Sequence, residues 1–238
     1  MKKWFFVFLL AGLAASAQNR IVNDENAVKR DVKSFHGIKV SDGIDLIVTQ
    51  GNTEAVAVSA SEAKYRERIV TEVDNGVLKI YYDHENNWFS NNSDRKKLKA
   101  YVSFKELDML KGSSGADITV DGSVNVNKLD VNLSSGASFT GKVDVKDLSV
   151  DQSSGSGSNF TGKVTNLEVE TSSGAIFRGY DLASDFCTAK ASSGASVRVT
   201  VNKELSAKAS SGGGIHYKGN GVIRDVDTGS GGSVSRKS

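Results

Sequence analysis

The chain has 238 residues, of which 38% are hydrophobic and 24% charged, with a formal net charge of +2. That is an ordinary soluble balance for one large domain or two small ones, and it makes no electrostatic case for a nucleic-acid partner. Proline is absent, glycine numbers 24, and a single cysteine leaves no intramolecular disulfide.

Residues 1–17 read as a signal peptide. Lys2 and Lys3 form a basic start, and Trp4 to Leu13 is an apolar run too short to span a bilayer. Ala15-Ser16-Ala17 fits the small-x-small cleavage pattern. Cleavage is expected between Ala17 and Gln18, the alternative being an uncleaved anchor. No cysteine lies there for lipid attachment, and no later stretch is expected to cross a membrane as a helix. Residues 18–32 are polar and read as a mobile leader.

From Phe35 the pattern becomes strand-like. Ile38 and Val40, then Ile44, Leu46 and Val48, then Val56 and Val58 alternate with polar residues, punctuated by Gly37, Asp42-Gly43 and Gly51-Asn52. Residues 61–70 predict a short helix capped by Ser61. Asn75-Gly76, between the Ile69-to-Val73 and Val77-to-Tyr82 runs, is a strong hairpin signal. Residues 98–104 predict another strand. Residues 33–107 are therefore either distorted coils or a hairpin-rich cap, and both would cover the open end of a stack. The polar loop of residues 83–97 carries Trp88 and Phe89, which read as a sugar-stacking or partner-docking tip, or as rings folded back and buried.

Residues 108–234 are organised by a phrase repeated seven times. It reads Ser113-Ser114-Gly115-Ala116, then Ser134-Ser135-Gly136-Ala137, Ser153-Ser154-Gly155-Ser156, Ser172-Ser173-Gly174-Ala175, Ser192-Ser193-Gly194-Ala195, Ser210-Ser211-Gly212-Gly213 and Gly229-Ser230-Gly231-Gly232. The glycines are 21, 19, 19, 20, 18 and 19 residues apart, a period near twenty that marks stacked repeats. Positions seven, five and three before each glycine are mostly apolar or small, as in Leu148, Val150 and Gln152, while those between are polar. Three residues past the glycine an apolar column resumes with Ile118, Phe139, Phe177, Val197, Ile215 and Val234. The third repeat is irregular: Ser156-Gly157 reads as an insertion, and Phe160 arrives two places late.

Each unit is therefore strand, glycine corner, strand, turn. One unit cannot bury its apolar face alone, but a stack makes a continuous core. The fold class is all-β, a right-handed parallel β-helix or β-solenoid of about seven coils, the hand expected from the crossover rule. Six steps of roughly 4.8 Å give a column about 29 Å long. Residues 235–238 are a tail.

The ordered set of Phe35-x-x-Ile38-x-Val40, Gly43-Ile44-Asp45, Val48-x-Gln50-Gly51 and Asn75-Gly76-Val77-Leu78-x-Ile80, followed by the Ser-Ser-Gly-Ala repeats and the Gly-Ser-Gly-Gly-Ser-Val end at residues 229–234, resembles the autotransporter-adhesin family with a head GIN domain, found in Bacteroidetes-type bacteria. The resemblance covers about residues 33–234. It implies a secreted β-helical protein with an adhesion role and supplies no catalytic residues. Gly-Ile-Asp stands where the family name has Gly-Ile-Asn, and no translocator barrel is expected after the repeats.

The best enzymatic candidates are the outward carboxylates Asp130, Asp151, Glu168 and Glu170, which neighbouring rungs bring about 5 Å apart, within range of coupled titration. Parallel β-helices hold acidic residues in such grooves for acid–base work. The plainer reading is a solvated face, since Lys190, Lys208 and then Asp227 follow Glu170 in its column and opposite charges along it pair at small gain. His36, His84 and His216 are scattered, which supports neither a Ser-His-Asp triad nor a zinc site, and no cofactor is expected. Cys187 sits in a leucine column and reads as a buried apolar residue. The serine columns read as close-packed corners rather than an ice- or sugar-binding array.

The function expected is that of an exported, non-enzymatic envelope module binding a glycan or another envelope protein, in the periplasm or at the cell surface. The alternatives are a polysaccharide lyase or hydrolase using the acidic face, and a purely structural periplasmic protein. Unpaired edges at the ends of the stack permit end-to-end association.

Overall fold

The computed structural model describes residues 24–84 and 96–237. The signal-peptide assignment and the pair Trp88 and Phe89 lie outside those residues.

The repeated phrase is a type I′ β-turn. At the second corner Ser135 and Gly136 both have positive φ, 51° and 74°, and the Ala137 N–H donates to the Ser134 carbonyl at 3.0 Å. Two successive left-handed residues are what such a turn requires. Glycine was the residue expected to take this conformation, but the serine before it takes it too, at about 1 kcal/mol of strain per corner. Each corner is also tied to the next. The Gly136 N–H donates to the Ser154 carbonyl at 3.1 Å, and that of Gly155 to Ser173 at 3.0 Å. The residue after the glycine turns inward, so Ala116, Ala137, Ser156, Ala175 and Ala195 are all buried.

Between corners the chain is one continuous strand rather than two. These are β9 (Asp117–Leu133), β10 (Ser138–Gln152), β11 (Gly157–Thr171), β12 (Ile176–Ala191) and β13 (Ser196–Ala209), preceded by β8 (Met109–Gly112). β14 (Gly214–Lys218), β15 (Val222–Thr228) and β16 (Ser233–Arg236) close the stack. All pair in parallel with the neighbouring rung. The expected second turn is a bend: in β10, Val145 and Leu148 point inward, the two residues between them do not, and the ladder continues from Val145↔Val164 to Asp147↔Asn166. The result is a β-solenoid of about seven turns.

The inward columns are the expected ones up to β13; in the last rung a slip puts Ile223 rather than Arg224 opposite Leu205, and β15 is exposed throughout. Cys187 pairs with Leu167 and Leu205 in the leucine column, and burial pushes its thiol pKa up to about 12, which leaves it unreactive.

The third repeat holds no insertion. β10 and β11 pair without a slip, Phe139 opposite Ser158 and Gly141 opposite Phe160. Ring and small residue have changed places: Phe139-x-Gly141 and Phe177-x-Gly179 flank Ser158-x-Phe160. A Cβ on Gly141 would meet the Phe139 ring at 2.9 Å, and one on Gly179 the Phe177 ring at 2.5 Å, because each ring leans over the glycine two places on. In the middle rung Phe160 fills that space and stacks on Phe139 and Phe177, with centroids 4.3 and 5.4 Å apart. Ser158, in the ring's place, donates to Gln152 Oε1 at 2.9 Å, and both are buried.

The N-terminal part is both coils and cap. β2 (Gly37–Val40) and β3 (Asp45–Gln50) form a rung whose corner, Ser41-Asp42-Gly43-Ile44, has φ of 62° and 66° at its centre. The Gly43 N–H donates to Ser114 at 3.0 Å, so the Gly43-Ile44-Asp45 motif is the first member of the corner column. β6 (Val77–Tyr82) and β7 (Lys99–Phe104) form a further parallel rung outside β2 and β3, although they follow them in sequence. Antiparallel strands then cover the end: β5 (Ile69–Asp74) on β6 through the Asn75-Gly76 turn, β4 (Ala55–Ser59) on β7, and β1 (Val28–Arg30) on β4. Residues 28–30, expected in the mobile leader, are thus part of the cap. The helix is a single turn, α1 (Ala63–Arg66), with Glu62 rather than Ser61 at its cap position and no side-chain cap bond. Gln50 ties the first rung to the stack: its amide nitrogen donates to the Asn125 carbonyl at 3.0 Å, and its oxygen accepts the Asn125 N–H at 2.7 Å.

Candidate functional site

The solenoid turns alternate residues of each strand outward, so ladder register alone decides which side chains become neighbours. On the strand segment before each corner this places the four candidate carboxylates on one face. Asp130 and Glu168 share a column with Ser149 between them, and Asp151 and Glu170 are direct partners on adjacent rungs. The face is charge-compensated. Lys128 Nζ lies 3.1 Å from Asp130, and Lys190 Nζ lies 3.9 Å from Glu168 and 3.3 Å from Glu170. Further along, Lys208 and Asp227 pair at 2.8 Å. The face is open to water, so each pair contributes well under about 1 kcal/mol.

The segment after each corner builds a different face. One outward column runs Thr119, Thr140, Asn159, Arg178, Arg198, His216 and Ser235. Two positions further on, Tyr180, Thr200, Lys218 and Lys237 line up beside it. Thr200 Oγ1 donates to the Tyr180 carbonyl at 2.7 Å, Thr200 pairs with Lys218, and the Lys237 N–H donates to the Tyr217 carbonyl at 2.8 Å. Lys218 Nζ and Lys237 Nζ sit 5.1 and 4.7 Å from the centroid of the Tyr180 ring, within cation–π range. An open cleft of about 390 Å³ lies here, lined by Tyr180, Arg198, His216, Ser235, Arg236 and Lys237.

Sequence reasoning missed this flank, though its signal was present. Arg178, Arg198 and His216 each stand four residues past a corner glycine, at Gly174, Gly194 and Gly212. A second open cleft, of about 490 Å³, lies beside Gln50, Lys105 and Asn125 near the capped end, where the Gln50 amide is committed to the strand contacts above. Among the described residues no group of three or more His, Cys, Asp or Glu is arranged to hold a metal ion, and no helix is long and apolar enough to cross a membrane.

Residues 34–221 match the family model described as "Putative auto-transporter adhesin, head GIN domain". The chain belongs to this family. The head GIN fold is shared by solved structures at low identity. A crystal structure described as a putative adhesin from Bacteroides fragilis is 14% identical, with a TM-score of 0.79 over 89% of this chain and 96% of that one. Another putative adhesin, from Parabacteroides distasonis, is 18% identical with a TM-score of 0.69 over the same shares. A protein from the same species described as a putative lipid binding protein is 19% identical, with a TM-score of 0.66 over 89% and 96%. At these identities the likeness establishes the fold alone. No curated protein matches the sequence. The family is described as a putative adhesin, which supports an adhesion-type role for this head GIN chain.

Proposed function

We propose that this head GIN protein is an exported, non-catalytic binding module of the cell envelope whose solenoid flank recognises a glycan. The observation that carries the reading is the shape of the molecule. It is a stitched stack whose outward side chains form long columns at one rung spacing, and its clefts are open and shallow. Such a surface suits an extended polymer lying along it better than a small substrate that must be enclosed for reaction. Export rests on the N-terminal Lys2–Ala17 pattern together with the adhesin family. The enzymatic alternative finds little support in the acidic face, where Asp130, Glu168 and Glu170 are paired with lysines on an open surface that encloses no substrate.

A glycan-array screen of the purified chain tests the reading, with turnover of acidic polysaccharides measured alongside. Specific binding without turnover is expected. Turnover that Asp151→Asn and Glu170→Gln abolish would replace the reading with the enzymatic one. The Trp88→Ala/Phe89→Ala variant asks whether the aromatic loop contributes to the same binding.

A further inference from the structure

We infer that the glycan is a polyanion, and that it is held on the C-terminal flank of the solenoid by Arg178, Arg198, Lys218 and Lys237, with His216 and Tyr180 completing the site. The inference rests on the glycan-binding reading above and gives that reading a place and a ligand class.

The first ground is uncompensated charge. On the opposite face Lys128, Lys190 and Lys208 each have a carboxylate within 4 Å. On this flank the described residues give Arg178, Arg198, Lys218, Arg236 and Lys237 no carboxylate partner. Arg236 donates to the Gly219 carbonyl instead, and Asp181, which follows Tyr180 in the chain, forms no ion pair with them. The whole chain carries a net charge of only +2, so this is segregation of cations onto one surface rather than a generally basic protein. Cations gathered without counter-charges raise the local concentration of anions and speed their capture.

The second ground is spacing. Arg178, Arg198 and His216 are consecutive ladder partners, so their side chains leave the sheet about 4.8 Å apart. That step is close to the rise of one pyranose along an extended polysaccharide, so a chain charged on each sugar meets the Arg178 and Arg198 guanidiniums on successive sugars, with the His216 ring next in line. The third ground is positioning. The Tyr180 ring holds the Lys218 and Lys237 ammoniums at 5.1 and 4.7 Å, and Thr200 anchors the Tyr180 backbone from the next rung. Tyr180 acts through those lysines and is a positioning residue. A bilayer surface would need charge but no such register, and among the described residues none of the exposed large aliphatic side chains lines this site.

The test compares dextran sulfate with uncharged dextran, which share a backbone and differ in charge, and adds polygalacturonate to separate sulfate from carboxylate. Vesicles of phosphatidylglycerol and phosphatidylcholine form the membrane arm. The full chain and an Arg198→Ala/Lys218→Ala/Lys237→Ala variant are compared by interferometry, with folding checked by thermal melting. A Lys29→Ala/Lys64→Ala/Lys79→Ala variant removes equal charge from the capped end. Removing one exposed cation is expected to weaken binding roughly two- to fivefold, so the flank variant loses about 10- to 100-fold while the cap variant stays within twofold of the parent. The dextran sulfate affinity also falls as salt rises. Tyr180→Leu weakens binding in the same direction with the three cations still present. Equal loss in both triple variants, or binding to vesicles alone, overturns the assignment. Binding of uncharged glycans that the flank variant retains also overturns it, while leaving the glycan-binding reading standing. Failure of every glycan, charged and uncharged, overturns both.

Discussion

Phe160→Ala tests whether the swapped ring is what joins the two halves of the stack. Phe160 is fully buried and lies between Phe139 and Phe177 at 4.3 and 5.4 Å. A buried Phe→Ala replacement costs about 3–5 kcal/mol, less where the site can collapse. Here collapse is resisted, because the backbone on both sides is held by ladder pairs such as Thr140↔Asn159 and Asn159↔Arg178. The loss should therefore be about 4 kcal/mol, a large share of the 5–15 kcal/mol typical of a folded domain. Because each coil touches only its neighbours, a lesion in the middle also weakens coupling between the halves. Urea denaturation followed by circular dichroism should show an earlier midpoint and a broader transition with a lower m-value. The double variant Ser158→Phe/Phe160→Gly restores the Phe-x-Gly order of the neighbouring rungs. It recovers the volume but leaves Gln152 Oε1 without its donor, so it should lose about 1–3 kcal/mol. A Phe160→Ala loss below about 1.5 kcal/mol with an unchanged m-value would refute the reasoning, since it would mean that the ring bears no packing between rungs.

Three further outcomes follow from the same geometry. Gln152 Nε2 is buried without a partner, so Gln152→Leu with Ser158→Ala should raise stability by about 1–2 kcal/mol in urea titrations, whereas Gln152→Leu alone strands the Ser158 hydroxyl and gains less. Ser154 stands at φ 52°, a conformation hostile to β-branched residues, so Ser154→Val should cost about 2 kcal/mol, while Ser154→Gly, which trades strain for chain entropy, changes the midpoint little. His36 lies 2.8 Å from Asp108, and that hydrogen bond, reinforced by the carboxylate's charge, raises its pKa above the usual 6.5. A raised folded-state value contributes stability that is present below the unfolded pKa and lost as pH rises through the folded one. The stability difference between the parent and His36→Gln should therefore be greatest below the usual value of 6.5 and fall as pH rises above it. It should amount to a few tenths of a kcal/mol, because both groups are exposed.

Much of the fold was legible because its devices are local. A left-handed Gly in each corner, an Asn-Gly turn between two apolar runs and a period-two alternation each act within a few residues, and the period near twenty stacks them. Register at the third repeat was not legible. A Phe two places late looks like an insertion when columns are aligned by residue type, and only the ladder shows that the small residue moved with it. The order of the first rungs was hidden for a similar reason. β6 and β7 resemble any other coil, and only pairing with β2 and β3 on one side and antiparallel β5 and β4 on the other puts them outermost.

The candidate site divides in the same way. The acidic column was readable before the corners, where alternation is regular, and Lys190 and Lys208 were in the counted positions, whereas Lys128, the partner of Asp130, was not. The basic flank lies after the corners, at the fourth and sixth places past each glycine, but its cations are confined to the last rungs, so no repeated residue type marks the column. By itself the sequence determined the solenoid, its corners and its buried columns, because burial and turn formation depend on residues close along the chain. Only the tertiary structure decided which outward charges are neutralised and which are left over. That depends on the side chains one rung above and below, about twenty residues away, and on the local slips that set which of them face each other.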